Sequence, residues 1–557
     1  MKISGARIVV ETLIEQGCDT IFGYPGGQVV DLFDELYRYR NSIKNILTAD
    51  EQGAAHAADG YARATGRVGV VVATSGPGAT NLVTGIATAY LDSVPMVAIT
   101  GNVSNALIGR DSFQEVDITD ITIPITKHNF IVKDVNKLAE TLRLAFKLAA
   151  SGRPGPVLVD IPKDVQTAKC EYEHCGKVEK DAKVIASDEM LMEAVKLIAE
   201  AKKPYIYCGG GVIAADASAE VIAFADKIDA AIGCSLMGLS AVPDDNPRFL
   251  GMKGMHGRYA SSLAEAEADL IITAGARFSN RAIGDKDKFA KTAKIIQIDI
   301  DDAEIRKTVS VYLGIQSDIK DAFARLVSMV EPKKLPEWSE RVRTLKMEEK
   351  NFIQQKGELT PYAIIDTISD NTEKGTIVAT DVGQHQMWVA QRYAFKKPRT
   401  MISSGGLGTM GFGMGAAIGA HIATGERVVL VTGDGSFGMN LNELATAVSQ
   451  NIPLTVVIMN NGVLGMVRQW QTLFYKKRYS ATILDRKTDF VKVAEAFGAK
   501  GMRAATAEEF AEAFKDAFAQ KGPVVIDCVI ARDEAVLPML PPESSIDNII
   551  TGIREEK

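Results

Sequence analysis

Apolar runs of strand length alternate with helix-length segments along almost the whole chain, as at 68–73, 96–100, 157–161, 269–274, 295–300, 427–431 and 454–459. Such alternation specifies βαβ units, so parallel sheets with helices on both faces are predicted. A helix is predicted over 188–201, where Leu191, Val195 and Ile198 share one face. At 557 residues the chain is too long for one hydrophobic core. Two polar stretches divide it: 169–183, containing CEYEHCGKVEK, and 331–358, dense in Lys, Glu and Arg. The second reads as a solvated helix contributing few core residues. The predicted fold is α/β, with three doubly wound parallel-sheet domains over 1–168, 184–330 and 359–557.

The first and third of these resemble each other. Residues 70–89 read VVVATSGPGATNLVTGIATA and 428–447 read VVLVTGDGSFGMNLNELATA. The strings SVPMV (93–97) and NIPLT (451–455) follow, and then GPVLVD (155–160) and GPVVID (522–527). Three matches in one order predict two copies of one domain flanking a different middle one.

A formal charge of −7 provides no basic footprint for nucleic acid or an anionic membrane. Any phosphate ligand must then be held by local backbone amides or a metal ion. The six cysteines do not suggest a disulfide scaffold, and Cys170, His174 and Cys175 lack the second ligand pair of a structural zinc site. No stretch reaches the roughly 20 apolar residues of a membrane span, and positions 1–10 carry no long apolar run, so a cytoplasmic location is expected.

The two copies differ informatively at one turn. Gly76-Pro77-Gly78 in the first is answered by Gly433-Asp434-Gly435 in the second, each after a buried strand, where open α/β sheets bind ligands. Asp434 on its own is compatible with a helix cap. Asn460-Asn461, however, follows the next apolar strand, with twenty-four residues between Gly435 and Asn460. That is room for one helix and one strand, so the two turns should lie side by side. Asp434 and Asn461 then offer hard oxygens to a cation such as Mg²⁺, with room for phosphate oxygens, while amides near Ser436 take the remaining anionic charge. This spacing resembles the fingerprint of thiamine diphosphate enzymes. Such enzymes need a carboxylate in a poorly hydrated site to activate the cofactor's pyrimidine ring. Glu51, which opens the small-residue run EQGAAHAADGYA, is the candidate, and a helix N-terminal charge is its plainer role.

With these residues in place the chain resembles, along nearly its whole length, the catalytic subunits of the acetohydroxyacid (acetolactate) synthase family. The matching strings are FGYPGG (22–27), EQGAAHAADGYARATG (51–66), TSGPGATN (74–81), SFQEVD (112–117), TKHNF (126–130), GMHG (254–257) and GARF (275–278). DVGQHQMW (381–388), GGLGTMGFG (405–413), NNGVLGMVRQWQ (460–471) and PMLPP (538–542) complete the set. The resemblance implies that Glu51 activates the ring and that Asp434, Asn461 and the backbone carbonyl of Val463 bind Mg²⁺. Val382, Gly383, Gln384 and His385 would meet the diphosphate and thiazolium end, together with Gly435 and Ser436. Gly408 and Met410 would meet the pyrimidine, and the Gly27 amide would lie near the reacting carbon. Phe113, Gln114, Lys127, Arg277 and Trp470 correspond to the substrate entrance, Trp470 favouring 2-oxobutanoate. Without the surrounding strings, Phe113 and Trp470 would read as core aromatics and Lys127 as a surface lysine.

Members of that family also bind FAD. Gly209, Gly210, Gly211, Leu236, Met237, Arg281 and Asp299 fit a dinucleotide cleft in the Rossmann-like middle domain. The family's Arg-Phe-Asp-Asp-Arg signature reads Arg277-Phe278-Ser279-Asn280-Arg281 here, with both acids replaced. Asp50 where a histidine is usual, Asn102 for a usual glutamine, and Met414-Gly415 for Leu-Pro are further departures. The implied reaction decarboxylates pyruvate and joins its two-carbon unit to pyruvate or 2-oxobutanoate. The products, 2-acetolactate or 2-aceto-2-hydroxybutanoate, lead to branched-chain amino acids. A homodimer or homotetramer, in which the first domain of one subunit meets the third of its partner, and a small regulatory subunit are also implied. The alternatives are a catabolic acetolactate synthase, a 2-oxo acid decarboxylase, a pyruvate oxidase, or a non-catalytic flavin- or nucleotide-binding paralogue.

Overall fold

A computed structural model describes residues 1–285, 289–290, 292–349 and 357–552. Of the predicted connection at 331–358, residues 350–356 lie outside the described residues, as do 553–557 of the third domain.

The first domain holds β1 (Lys2–Ser4), β2 (Thr20–Tyr24), β3 (Lys44–Leu47), β4 (Gly69–Ala73), β5 (Met96–Asn102), β6 (His128–Ile131), β7 (Pro156–Pro162) and β8 (Lys169–Glu171). The middle domain holds β9 (Pro204–Cys208), β10 (Ala231–Cys234), β11 (Phe249–Met252), β12 (Leu270–Ala274), β13 (Lys294–Asp299) and β14 (Leu313–Gln316). The third holds β15 (Ile377–Thr380), β16 (Met401–Ile402), β17 (Val428–Gly433), β18 (Leu454–Asn460), β19 (Lys500–Ala504) and β20 (Val524–Val529). The predicted strands are all present, shifted at their ends by one or two residues.

Three six-stranded parallel sheets result. The first runs β3-β2-β4-β5-β7-β6 and the third β16-β15-β17-β18-β20-β19. Counted within each domain, both orders are 2-1-3-4-6-5, so the predicted duplication is visible as identical topology. The middle sheet runs β11-β10-β9-β12-β13-β14, which is 3-2-1-4-5-6, the dinucleotide-binding order. Central strands such as β4, β5, β7 and β17 are buried along their length, which is why they read as unbroken apolar runs.

Both predicted connections are more structured than their composition suggested. In the first, β8 pairs antiparallel with β1, burying Cys170 between exposed Lys169 and Glu171. In the second, helix Pro336–Glu349 buries Trp338, Val342 and Leu345, and the Trp338 indole donates to Pro204 O at 3.1 Å. Spacing of four and three residues sets these on one stripe, so the helix packs on the middle domain although half of its residues are charged. The predicted helix at 188–201 is present as Asp188–Glu200, capped by Ser187, whose hydroxyl accepts from Met190 N. Among the described residues no helix is long and apolar enough to cross a membrane.

The first and third domains meet through topologically equivalent helices, Glu51–Thr65 and Phe412–Thr424, each preceding the third strand of its own sheet. Their facing residues are glycine and alanine, which lets the backbones touch. A Cβ on Gly60 would lie 2.1 Å from Ala416 O, one on Gly415 2.6 Å from Gly53 O, and one on Gly419 1.8 Å from Ala57 O. His56 meets the Phe412 ring edge-on at 5.2 Å. Gly60→Ala should therefore lower unfolding stability by about 1–3 kcal/mol, although alanine is the better helix former; denaturant melts would measure it.

Candidate active site

The β17–β18 pairing sets the carboxyl ends of these strands side by side, with Gly433 opposite Met459. The turns bearing Asp434 and Asn461 are therefore neighbours, as the spacing predicted. Asp434 begins the short helix Asp434–Phe437 and is buried. Burial raises its carboxyl to about 6, opposed by hydrogen bonds from the backbone of Asp434, Gly435 and Gly462. No cationic side chain contributes to that balance. A buried carboxylate that meets backbone amides and a second acid, Asp527, but no cation is a fitting ligand for a small hard cation. Asn461 Oδ1 accepts from Val463 N at 3.1 Å. The loop is fastened from outside, Leu464 N donating to Thr482 O and Leu484 N to Gly462 O, both at 2.8 Å. The backbone at Val463 is thereby held between two cross-chain bonds.

The diphosphate side is built by β15 and the turn after it. Gly383, with φ +158°, precedes helix Gln384–Arg392, in which His385 is buried. Burial pushes the imidazole down to about 3, and its Nε2 has no hydrogen-bond partner among the described residues. A Cβ on Gly433 would lie 3.1 Å from its Nδ1, so the ring sits against the turn that leads to Asp434. An orphaned buried nitrogen beside an anion-binding turn fits a phosphate oxygen. The Ser436 hydroxyl donates to Val382 O at 3.2 Å, tying the two turns together. The Gln384 amide is committed to Gln469 Oε1 at 2.9 Å and Glu534 O at 2.8 Å, so its side chain braces the 461–469 segment instead of facing the cleft. Gly435 is the cradle: a Cβ there would lie 3.0 Å from Leu464, 3.2 Å from Leu484 and 3.8 Å from the Met410 methyl. Gly408 has φ +72° and faces Val382.

Glu51 is buried at the first position of its helix, and its Oε2 accepts from Asn81 Nδ2 at 3.0 Å. Asp50 caps that helix, accepting from Gly53 N at 2.7 Å, and its second oxygen accepts from Asn442 Nδ2 at 3.0 Å. Glu443 accepts from the amides of Ala49 and Asp50 at 3.1 and 3.2 Å. The segment 434–443 thus runs from the metal turn to the cap of the Glu51 helix, which explains an aspartate at position 50. Sequence reasoning assigned no role to Asn81, Asn442 or Glu443; the only signal was their place in the TSGPGATN string and the segment after GDG.

The duplicated domains also share a hydrogen bond invisible in the sequence. Asn102 Nδ2 donates to Asp160 Oδ2 at 2.6 Å, and Asn460 Nδ2 donates to Asp527 Oδ1 at 2.9 Å. This gives Asn102 a structural reason. The next residues are Val103 and Asn461, so the two copies differ at Pro77/Asp434 and at Val103/Asn461, the two positions whose side chains the sequence offered as cation ligands.

The entrance residues are less gathered. Gly27 follows β2, exposed, with open space where a side chain would project. Gln114, at φ +58°, lies against Gly76, and Phe113 is 85% exposed. Lys127 donates to Leu148 O at 2.5 Å and Ser151 O at 2.7 Å, so its ammonium serves the end of helix Leu138–Ala150 and is not free at an entrance. Arg277 is exposed after β12. Trp470, on helix Gly465–Phe474, lies under the guanidinium of Arg281 at 5.5 Å. Arg281 therefore touches Trp470, which the resemblance places at the substrate entrance, whereas it places Arg281 with the flavin. In the middle domain, Gly209–Gly211 stand at the switch point between β9 and β12. A Cβ on Gly209 would strike Gly275 O at 2.0 Å, so that glycine serves close backbone packing. Met237, in the Leu236–Gly238 turn, covers Gly210, and Asp299 ends β13, accepting from Asp301 N at 3.0 Å.

Comparison with known proteins gives three family matches: the N-terminal TPP binding domain of thiamine pyrophosphate enzymes at 3–121, their central domain at 191–326 and their C-terminal TPP binding domain at 381–528. The chain is 46% identical to the acetolactate synthase large subunit of Corynebacterium glutamicum, over 98% of this chain and 90% of the relative. It is 45% identical to the probable acetolactate synthase large subunit of Methanocaldococcus jannaschii, over 100% and 96%. Against the acetolactate synthase isozyme 2 large subunit of Escherichia coli it is 43% identical, over 98% of each.

His385 provides a pH test. Its folded value of about 3 lies below the 6.5 of an exposed imidazole, so its stabilising contribution is complete above pH 6.5 and is lost as pH falls. His385→Gln should flatten the acid limb of stability by up to about 1.4 kcal/mol per pH unit between about pH 6 and 4, measured by urea melts.

Proposed function

We propose, on the premise that the chain belongs to the thiamine pyrophosphate enzyme family and within it to the acetolactate synthase large subunits, that it makes 2-acetolactate and 2-aceto-2-hydroxybutanoate for branched-chain amino acid synthesis. One observation carries the site assignment. The duplicated domains keep a common frame and differ at Asp434 and Asn461, the positions that turn a closed strand end into a cation site.

In this reading Asp434, Asn461 and the Val463 carbonyl hold Mg²⁺. The His385 ring and the backbone of 382–383 and 435–436 receive the diphosphate, and Gly408 and Met410 meet the aminopyrimidine. Thiamine diphosphate, when bound, supplies the electron sink for loss of CO₂ from pyruvate and for transfer of the two-carbon unit to a second 2-oxo acid. Glu51 holds a proton with the ring nitrogen from a buried position, its other flank fixed by Asn81. Gly27 contributes an amide near the reacting carbon, and Arg277 and Trp470 select the second substrate, with Phe113 and Gln114 at its rim. The cleft of the middle sheet accommodates FAD, whose pyrophosphate would lie at the switch point marked by Gly209–Gly211. Phe113, Leu407 and Met439 are large apolar side chains left exposed, which supports association into a homodimer or homotetramer. The relatives' designation as large subunits supports a small regulatory partner.

Glu51→Gln should lower acetolactate formation by about 10²-fold or more while thiamine diphosphate still binds, and chelation of Mg²⁺ should release the cofactor. Acetaldehyde or peroxide as the main product from pyruvate would overturn the carboligase assignment. Trp470→Leu should shift product from 2-aceto-2-hydroxybutanoate toward 2-acetolactate when both substrates compete; an unchanged ratio removes Trp470 from selection.

A further inference from the structure

The loop 403–410 carries Gly408 and Met410, yet its own composition gives it little rigidity. It contains Gly405, Gly406 and Gly408, the last in the left-handed region, and ends at Gly411 with φ +86°. Such a segment has many accessible backbone states. Its glycine pair at 405–406 is held by the first domain, and its start at 403–404 by the third, where the Thr380 and Ser403 hydroxyls are 2.7 Å apart. Asp92, just past helix Val83–Leu91, accepts from Gly405 N at 3.0 Å on Oδ2 and from Gly406 N at 2.7 Å on Oδ1. Arg63 clamps that carboxylate: Nη2 donates to Asp92 Oδ2 at 2.9 Å, Nη1 donates to Ser403 O at 2.9 Å, and Nε pairs with Asp59. The Arg63, Asp59 and Asp92 side chains are all nearly inaccessible to solvent, so water cannot stand in for a lost partner. The guanidinium also lies over the Phe412 ring at 5.3 Å. One turn back on the same helix, the Thr88 and Thr409 hydroxyls are 2.7 Å apart. Gln386, from the third domain itself, adds bonds to Ser403 Oγ at 2.7 Å and Ser404 O at 3.1 Å.

We propose that Asp92, held by Arg63, is a positioning residue for the coenzyme: it sets the conformation of the loop that receives the aminopyrimidine. The proposal rests on the cofactor assignment made above. A buried carboxylate that divides its oxygens between two consecutive amides fixes the plane of the peptide between them, and an arginine fork fixes the carboxylate in turn. Among the described residues the Arg63 and Asp92 side chains make no hydrogen bond to the diphosphate half of the site, built from 382–385 and 434–463, which meets the loop only through its far end, where Gly408 faces Val382 and Met410 faces Gly435. Losing Asp92 should therefore weaken recognition of one end of the coenzyme and not the other.

The test is calorimetric titration of the full chain, in Mg²⁺, with thiamine diphosphate and separately with inorganic pyrophosphate. Asp92→Asn should raise the Kd for thiamine diphosphate about tenfold or more while pyrophosphate changes by less than about twofold. Asp92→Glu should recover part of the loss. Asp216→Asn, which breaks the ion pair with Arg399 at 2.8 Å between the middle and third domains, should alter neither ligand. Should Asp92→Asn fail to fold, Thr88→Val reads out the same selective loss from the neighbouring contact. If both ligands weaken alike in these variants, or neither does, the latch is overturned. A wild-type chain that binds neither ligand overturns the cofactor assignment and the latch together.

Discussion

The contact on which the architecture turns is backbone against backbone, between helices Glu51–Thr65 and Phe412–Thr424. Gly60, Gly415 and Gly419 have no room for a Cβ because a carbonyl oxygen of the facing helix already occupies that space. Close approach brings the cap of one domain's helix to the loop of the other. Asp50 reaches Asn442, the amides of 49 and 50 reach Glu443, and Asp92 reaches Gly405 and Gly406. With larger side chains along this seam the domains would stand apart, and none of those polar contacts would form. Asp92 and Glu443 would keep only the partners of their own domains, Arg63 and Thr446.

Duplication explains why one chain holds two similar strand-end turns with different properties. Both copies keep the strand order and the Asn–Asp bond at the end of the fourth strand. In the first copy Pro77 and Val103 provide no ligating side-chain oxygen. In the third, Asp434 and Asn461 stand at those places. The shared frame sets two turns side by side, so in the proposed reading these two differences place two oxygen ligands at one strand end. The first copy instead contributes Glu51, and the latch from Arg63 and Asp92. The resemblance places the partners of this site on different subunits; in this chain the first and third domains already meet, through the paired helices.

Much of the fold was legible because buried parallel strands are apolar along their whole length, and because the two copies share strings long enough to align. The pairing of Asp434 with Asn461 was legible as well, since one helix and one strand fit between them. Other residues have local contacts that the sequence did not reveal. Lys127 sits in a family string, but two carbonyls at a helix end satisfy its ammonium. Arg281 stacks on Trp470, a residue of another domain that no sequence separation relates to it. The charged segment near 340 hid a three-residue apolar stripe that docks on the middle domain.

Sequence alone determined the element types, the duplication and the adjacency of the Asp434 and Asn461 turns, because periodicity and spacing along the chain encode which groups share a strand end. Tertiary structure alone decided that Asp50 is a cap shared between domains, that burial lowers the His385 imidazole and leaves its Nε2 without a partner among the described residues, and that an arginine and an aspartate from the first domain hydrogen-bond a loop of the third. These properties depend on burial and on contacts across hundreds of residues, where the free energy of a charge or a hydrogen bond is set by the surroundings and not by neighbours in the chain.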